Sequence, residues 1–346
     1  MKRKGFIFFA ALLVILCGAC QRRPFAEYQS KVALNLNIRT NIVNEVEMPL
    51  PEDMRVDLYH PETGKLIYTD YVGPYGGYIH PPAGLYDMIV YSIGSESTIV
   101  DNEENFNEIE AYTNEVSAFI KSQLAQFLAK RRQAAKERAA KNWASAMSSE
   151  PETRDPIQYV EDPVVYQPDH MFVGWYRDLD IPVIYEQDQV QEIYVSIDVH
   201  TIVETWIVEL KNIQGIQWAS SMAALVSGQR GSVHIGPNVA SEKVVSLYFE
   251  IGKQEDEDGV MTAKGKYNTF GVHPTQHDEI WIDLSVKDTG GNEQVFHFDV
   301  TDQVIGNEDR YILIEEPVVI EEPKTEGGGF LPSVEEWEDV NTNIIL

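Results

Sequence analysis

Cysteine is almost missing from this chain of 346 residues: only Cys17 and Cys20 occur, both near the N-terminus. Two thiols three residues apart leave no disulfide framework for the remainder of the sequence. Basic residues are also scarce, 27 against 55 acidic, for a formal charge of −28. That balance repels phosphate backbones and excludes nucleic acid as a partner class. No glycine-rich phosphate loop, dinucleotide fingerprint or nucleophile-elbow pattern is present, so no cofactor is expected and no catalytic residue is nominated. No apolar run is long enough to cross a bilayer: Phe6 to Leu16 would span about 16 Å as a helix, roughly half the hydrocarbon core.

That short run is informative in its context. Lys2, Arg3 and Lys4 precede it, giving the layout of a secretory signal, and Gly18 and Ala19 stand directly before Cys20. "CGAC" resembles the lipobox of bacterial lipoproteins. The resemblance implies removal of residues 1–19 and a mature chain that begins at a diacylglycerol-modified Cys20. Cys17 occupies the place where leucine is usual, and Leu16 is too bulky to precede the cut if Cys17 were the modified residue. The alternatives are ordinary signal cleavage elsewhere and a CxxC redox or metal pair. Cys20 is the expected lipid-attachment residue, and the membrane is an expected partner through that lipid.

What the rest of the chain does contain is β pattern. It is 43% hydrophobic with 17 Tyr, 13 Phe and 6 Trp, enough for a substantial core and, by length, about two domains. Val32, Leu34, Leu36 and Ile38 alternate with polar or small residues. "MRVDLYHPETGKLIYTDYV" reads as a hairpin turning at His60–Gly64, and two more strands flank Pro81–Gly84. In the second half the same alternation recurs at Ile193–Val199, Val245–Ile251, Ile280–Val286 and Phe296–Val300, with turns at "QEDEDG" and "DTGGN". Between the halves the period changes to helical: Val116, Ile120, Leu124, Phe127 and Leu128 form one stripe, which fades into "AKRRQAAKERAAKNWASAM".

The expected architecture is therefore mainly β, two tandem antiparallel β-sandwich domains with one long inserted α-helix. The expected divisions are a signal at 1–19, an N-terminal sandwich at 20–105 and a basic amphipathic helix at 106–147. A linker at 148–163, a C-terminal sandwich at 164–323 and a tail at 324–346 follow. Seven Lys or Arg lie between Lys121 and Lys141 against one acidic residue, Glu137. Lys130, Arg131, Arg132, Lys136 and Arg138 are candidate contacts for an acidic partner or an anionic membrane surface; the competing reading is a solvated helix face.

Other chemistry-bearing patterns are sparse. His273, His277 and Asp278 have metal-like spacing in a Pro-containing loop with no further ligand, so no metal is expected; "EDEDG" lacks EF-hand spacing and reads as an acidic hairpin tip. Trp175, Tyr176 and Trp337 are candidates for stacking on sugar rings, against the alternative of burial at sheet ends.

The stretches "DLYHPETGKLIYTDYVGPYGGYIHPPAGLYDMIVYSIGSESTIV", "EAYTNEVS", "PDHMFVGW", "TIVETWIVELKNIQG", "YNTFGVHP", "DTGGNEQVFHFDVTDQV" and "GGGFLPSVEEWEDV" resemble a Bacteroidales lipoprotein family of unassigned function. That family is distantly related to the fimbrillins and to the anchor and assembly lipoproteins of type V pili. The resemblance implies two transthyretin-like sandwiches in tandem, lipid attachment to the outer membrane, and a role in fimbria-like assembly or cell-surface adhesion; with no catalytic motif in the sequence no enzymatic activity is expected, and fimbrial subunits or surface glycans are the expected partners. It also implies assembly by strand addition, with Arg39 as a weak processing signal and 330–346 as a candidate donor strand. A glycan-binding lipoprotein is the alternative role, and a surface hydrolase a third. Gln21-Arg22-Arg23-Pro24 follows Cys20 where surface-displayed lipoproteins of these cells often carry acidic residues, which leaves the membrane leaflet open.

Overall fold

The computed structural model describes residues 30–39, 49–145, 162–183, 192–255, 261–273 and 279–323, with the side chains of 139–145 outside that description. In chain order the strands are β1 (Lys31–Arg39), β2 (Met54–Tyr59), β3 (Leu66–Val72), β4 (Gly76–Ile79), β5 (Gly84–Ser92), β6 (Thr98–Asp101) and β7 (Glu110–Thr113). After α1 (Ala118–Gln123) and α2 (Ala125–Ser145) come β8 (Val164–Val165), β9 (Phe172–Ile181), β10 (Glu192–Thr201), β11 (Glu204–Leu210) and β12 (Ile213–Gln214). The remainder is β13 (Ala219–Arg230), β14 (Ser232–His234), β15 (Val239–Ala240), β16 (Val244–Glu255), β17 (Met261–Thr269), β18 (Trp281–Asp288) and β19 (Glu293–Asp299), then α3 (Thr301–Val304), β20 (Tyr311–Ile314) and β21 (Val318–Val319).

Two large sheets organise these elements. The first runs β3-β2-β5-β9-β10-β1-β4, and the second β19-β18-β13-β16-β17-β11-β20. β3 and β4, at opposite ends of the first order, are joined by a tight turn in which Gly76 N donates to Gly73 O, so that sheet curls toward closure. Gly76 sits at φ +106°, and a Cβ there would lie 2.0 Å from the Leu34 carbonyl oxygen. Only glycine lets β4 lie this close to β1.

Alternation becomes burial wherever one face meets solvent. In β10 the apolar Val195, Ile197 and Val199 point inward while Tyr194, Ser196 and Asp198 are exposed. β5 is buried from Tyr86 through Tyr91 because both of its faces are covered. Met88 and Val90 face the first core with Val32, Leu34, Leu36, Ile197 and Val199. Ile89 and Tyr91 face a separate seam core, built with Phe106, Ile109, Val173, Val233, Ile235 and Phe270.

The expected division at 148–163 does not separate the sheets. β9 and β10, anticipated in the second unit, complete the first sheet, with β10 parallel to β1 over all nine residues of the latter. β6 and β7, expected at the end of the first sandwich and inside the helix, instead form a small sheet with β14 and β15 from the second half. The physical reason is exposure: a first sheet ending at residue 100 would leave β1 and β5 each without a neighbour on one side, as unpaired edges. Parallel pairing also joins β8 to β16, β11 to β20 and β12 to β21; the other named ladders are antiparallel.

Gly236 marks how closely the seam is packed. A Cβ at this position would lie 1.7 Å from the Phe106 carbonyl oxygen, a backbone atom that no rotamer change can move. Gly236→Ala is therefore expected to cost about 2 kcal/mol of stability, an overpacking penalty read from the shift in denaturant midpoint. A variant as stable as the parent would show that the seam yields freely.

Candidate functional site

Two features of this architecture bear on attachment and assembly: the first strand and the long helix. β1 is the first described strand after Cys20, and it lies inside its sheet. On one side it pairs with β10 from Lys31↔Glu192 to Arg39↔His200, and on the other with β4 from Val32↔Ile79 to Asn35↔Gly76. Val32, Leu34 and Leu36 are buried in the core beneath. On the outer face, polar side chains link the same two strands, directly opposite at Lys31 and diagonally at Asn37 and Arg39. Lys31 lies 3.3 Å from Glu192, Asn37 donates to Ser196 Oγ at 2.9 Å, and Arg39 pairs with Asp198 at 3.2 Å. Exposed ion pairs of this kind contribute little energy individually, but here they fix the same register that the core side chains require.

The helical stripe does not end at Leu128. Ser117 caps α1, its hydroxyl accepting from Ile120 N at 3.3 Å, and Leu124 links α1 to α2. Across α2 the inward positions are Phe127, Leu128, Arg131, Ala135 and Arg138, a continuous 3–4 spacing that lies on the outer face of the second sheet. Arg131 is fully buried. Its Nε lies 2.5 Å from Asp283 Oδ2 and its Nη2 donates to Ser246 Oγ at 2.9 Å. Asp283 is equally buried, and its other oxygen lies 2.6 Å from His297 Nδ1.

Arg131 is therefore withdrawn from the candidate partner contacts: it pins the helix to β18 and β16. Arg138 lies 4.0 Å over the Trp281 ring, and Lys130 donates to the Glu293 carbonyl oxygen, so these two also serve the docked helix. Arg132 and Lys136 are exposed. The helix itself starts at Ala118 rather than at 106, because Glu110–Thr113 is taken into β7.

A second buried polar cluster lies near the seam. Asp57 accepts from Arg55 Nε at 3.0 Å, Thr69 Oγ1 at 2.7 Å and Tyr91 OH at 3.1 Å, with Arg55 also 2.6 Å from Glu103. Burial pushes the Asp57 carboxyl above its ordinary range, against the lowering effect of its donors, and burial beside Asp57 raises the Tyr91 hydroxyl as well. Every member of this group has a structural partner, so it reads as a cross-brace between β2, β3 and β5.

The remaining candidates disperse. Trp175 is half-buried, with its indole N–H donating to Ile235 O at 2.7 Å, and it packs against the seam core. Tyr176 is exposed on β9. His273 lies 3.4 Å from Glu242, and among the described residues no three His, Cys, Asp or Glu gather as metal donors. No helix among them is long and apolar enough to cross a membrane. Cys17, Cys20, His277, Asp278, the tip of "EDEDG", Trp337 and the tail 324–346 lie outside the described residues.

A chain of two β-sheet units with an interior first strand and a helix strapped across the second sheet is a tandem β-sandwich protein, mainly β throughout. It belongs to the family described as "Domain of unknown function (DUF5119)", which matches residues 19–250. Over 112 residues it is 31% identical to a Bacteroides ovatus protein with the provisional name fimbrium anchoring subunit Fim4B; that match spans 32% of each chain, about a third of the relative's length. Its fold is similar to the crystal structure of a provisionally named adhesin from Bacteroides ovatus. The TM-score is 0.55 at 19% identity, covering 88% of this chain and 98% of the other. The fimbrial anchor protein Mfa2 from Porphyromonas gingivalis aligns over 82% of this chain and 87% of its own at 11% identity, with a TM-score of 0.45.

Proposed function

We propose that this chain is a non-catalytic structural lipoprotein of the outer membrane that holds a fimbria or adhesive fibre at the cell. The observation that carries the proposal is the position of β1. A lipid on Cys20 would stand eleven residues before Lys31, a link reaching at most about 40 Å when extended. Load arriving through that link would act on a strand paired on both sides and seated on its own core. Pulled along its length, such a strand must break many backbone bonds together, whereas an edge strand can be peeled one pair at a time. The 31% identity to a protein named as a fimbrium anchoring subunit supports the same role.

The test is affinity capture of the full chain from detergent-solubilised membranes of cells producing it. Polymeric fimbrial subunits are expected to co-purify, and recovery of monomer alone would count against the reading. Replacing the exposed Lys136 by Glu on α2 is expected to change membrane or partner retention by less than twofold, since most of the cations around it serve the docked helix.

A further inference from the structure

The seam between the two sheet units carries a cavity of about 390 Å³, within the roughly 300–1,000 Å³ typical of small-molecule sites. Its wall draws on both units: Trp175 and His200 come from the first sheet, Glu204 from the second, Phe270 from the bend just after β17, and Asn238 and Arg310 from loops. Sites at unit boundaries are a common location for ligands. Another cavity among the described residues, about 1040 Å³, is instead an acidic trough walled by Asp101, Glu103, Glu104 and Glu108, with no aromatic ring.

The seam cavity is built in advance. Trp175 cannot turn freely because its indole N–H is held by Ile235 O at 2.7 Å. Glu204 is held from two sides, by Arg310 Nη2 at 3.2 Å and by the Trp206 indole N–H at 3.4 Å. Arg310 has φ +52°, a left-handed conformation uncommon for a bulky residue, and Asn238 has φ +55°. Among the described residues, two of the five non-glycine residues with positive φ thus line one cavity. Strained backbone of this kind persists only where the surroundings over-determine it.

The lining selects a ligand by chemistry. Its carboxylate and guanidinium pair with each other, so neither an anion nor a cation gains a full charge partner, and an anion would also meet the field of a chain at −28. What remains is an aromatic wall beside the mutually held Glu204 and Arg310, with Asn238 and His200 as further polar groups on the lining. A pyranose ring has the matching surface, apolar C–H faces and a rim of hydroxyls. We infer that this cavity binds an uncharged sugar ring, with Trp175 against its C–H face and Glu204, held by Arg310, accepting from ring hydroxyls. This site is independent of the attachment role, and it puts Trp175 to a use compatible with its partial burial.

The full-length protein would be titrated with glucose, galactose, mannose, N-acetylglucosamine and disaccharides of each, read by saturation-transfer NMR and by tryptophan fluorescence. At least one sugar is expected to saturate. Trp175→Ala should weaken it by tenfold or more. Glu204→Gln, which keeps the shape of the wall, should weaken it by about tenfold, with a thermal melt confirming that each variant is folded. Tyr194→Ala, on the distant outer face of β10, should leave affinity within twofold. If no member of the panel saturates, or if binding survives both cavity substitutions, the inference is overturned.

Discussion

Arg131→Ala is expected to lower the unfolding free energy by about 3 kcal/mol, the largest single effect among the residues of the helix. The reason lies in what the truncation leaves behind. Asp283 has no solvent exposure, and without the guanidinium it keeps only its contact with His297, while Ser246 loses the donor facing it. Removing one partner of a buried pair costs far more than removing both. The double substitution Arg131→Met with Asp283→Leu should therefore recover most of the loss, because it leaves an apolar contact between α2 and β18. Denaturant titration of the three variants measures the coupling, and amide exchange along α2 locates it, since a helix freed from the sheet should lose protection before the cores do. Added salt should change the result little, because a pair with neither partner exposed is weakly screened. A single variant within 0.5 kcal/mol of the parent would sink the pinning role.

The same residue shows why part of this molecule was hard to read from its sequence. A stripe of Leu124, Phe127 and Leu128 followed by Arg131 looks like the end of an amphipathic face, since charge normally signals solvent. The signal that continues it is spacing: 124, 127, 131, 135 and 138 keep the helical period, and Asp283 is an isolated charge between the core residues Ile282 and Leu284. Half-buried strands with one wet face, such as β10 and the β2–β3 hairpin, were legible because alternation becomes burial directly. Sheet membership was not. β1 finds its parallel partner across about 160 residues, and nothing local in "KVALNLNIR" encodes that choice. The seam cavity lay beyond reach for the same reason: Trp175 and Arg310 are 135 positions apart and meet only once the two units close.

Cys20→Ala is expected to release the protein from the membrane fraction almost completely while leaving the fold unchanged, because position 20 lies ahead of the first described strand. A diacylglycerol supplies two acyl chains. Each buried methylene contributes about 0.8 kcal/mol, and stable anchoring takes two signals where one chain gives only marginal binding. Among the described residues no helix is long and apolar enough to cross a membrane, and the exposed cations of α2 sit on a chain of net charge −28. Cys17→Ala should leave attachment intact, as residue 17 would depart with the signal. If instead Cys20→Ala stays membrane-bound, or if Cys17→Ala is the variant released, the assignment of the anchor to Cys20 fails. Applying protease to intact cells that produce the parent protein then separates the leaflets, which Arg22 and Arg23 in place of acidic residues leave open: digestion places the two sheet units outside the cell, and protection places them in the periplasm.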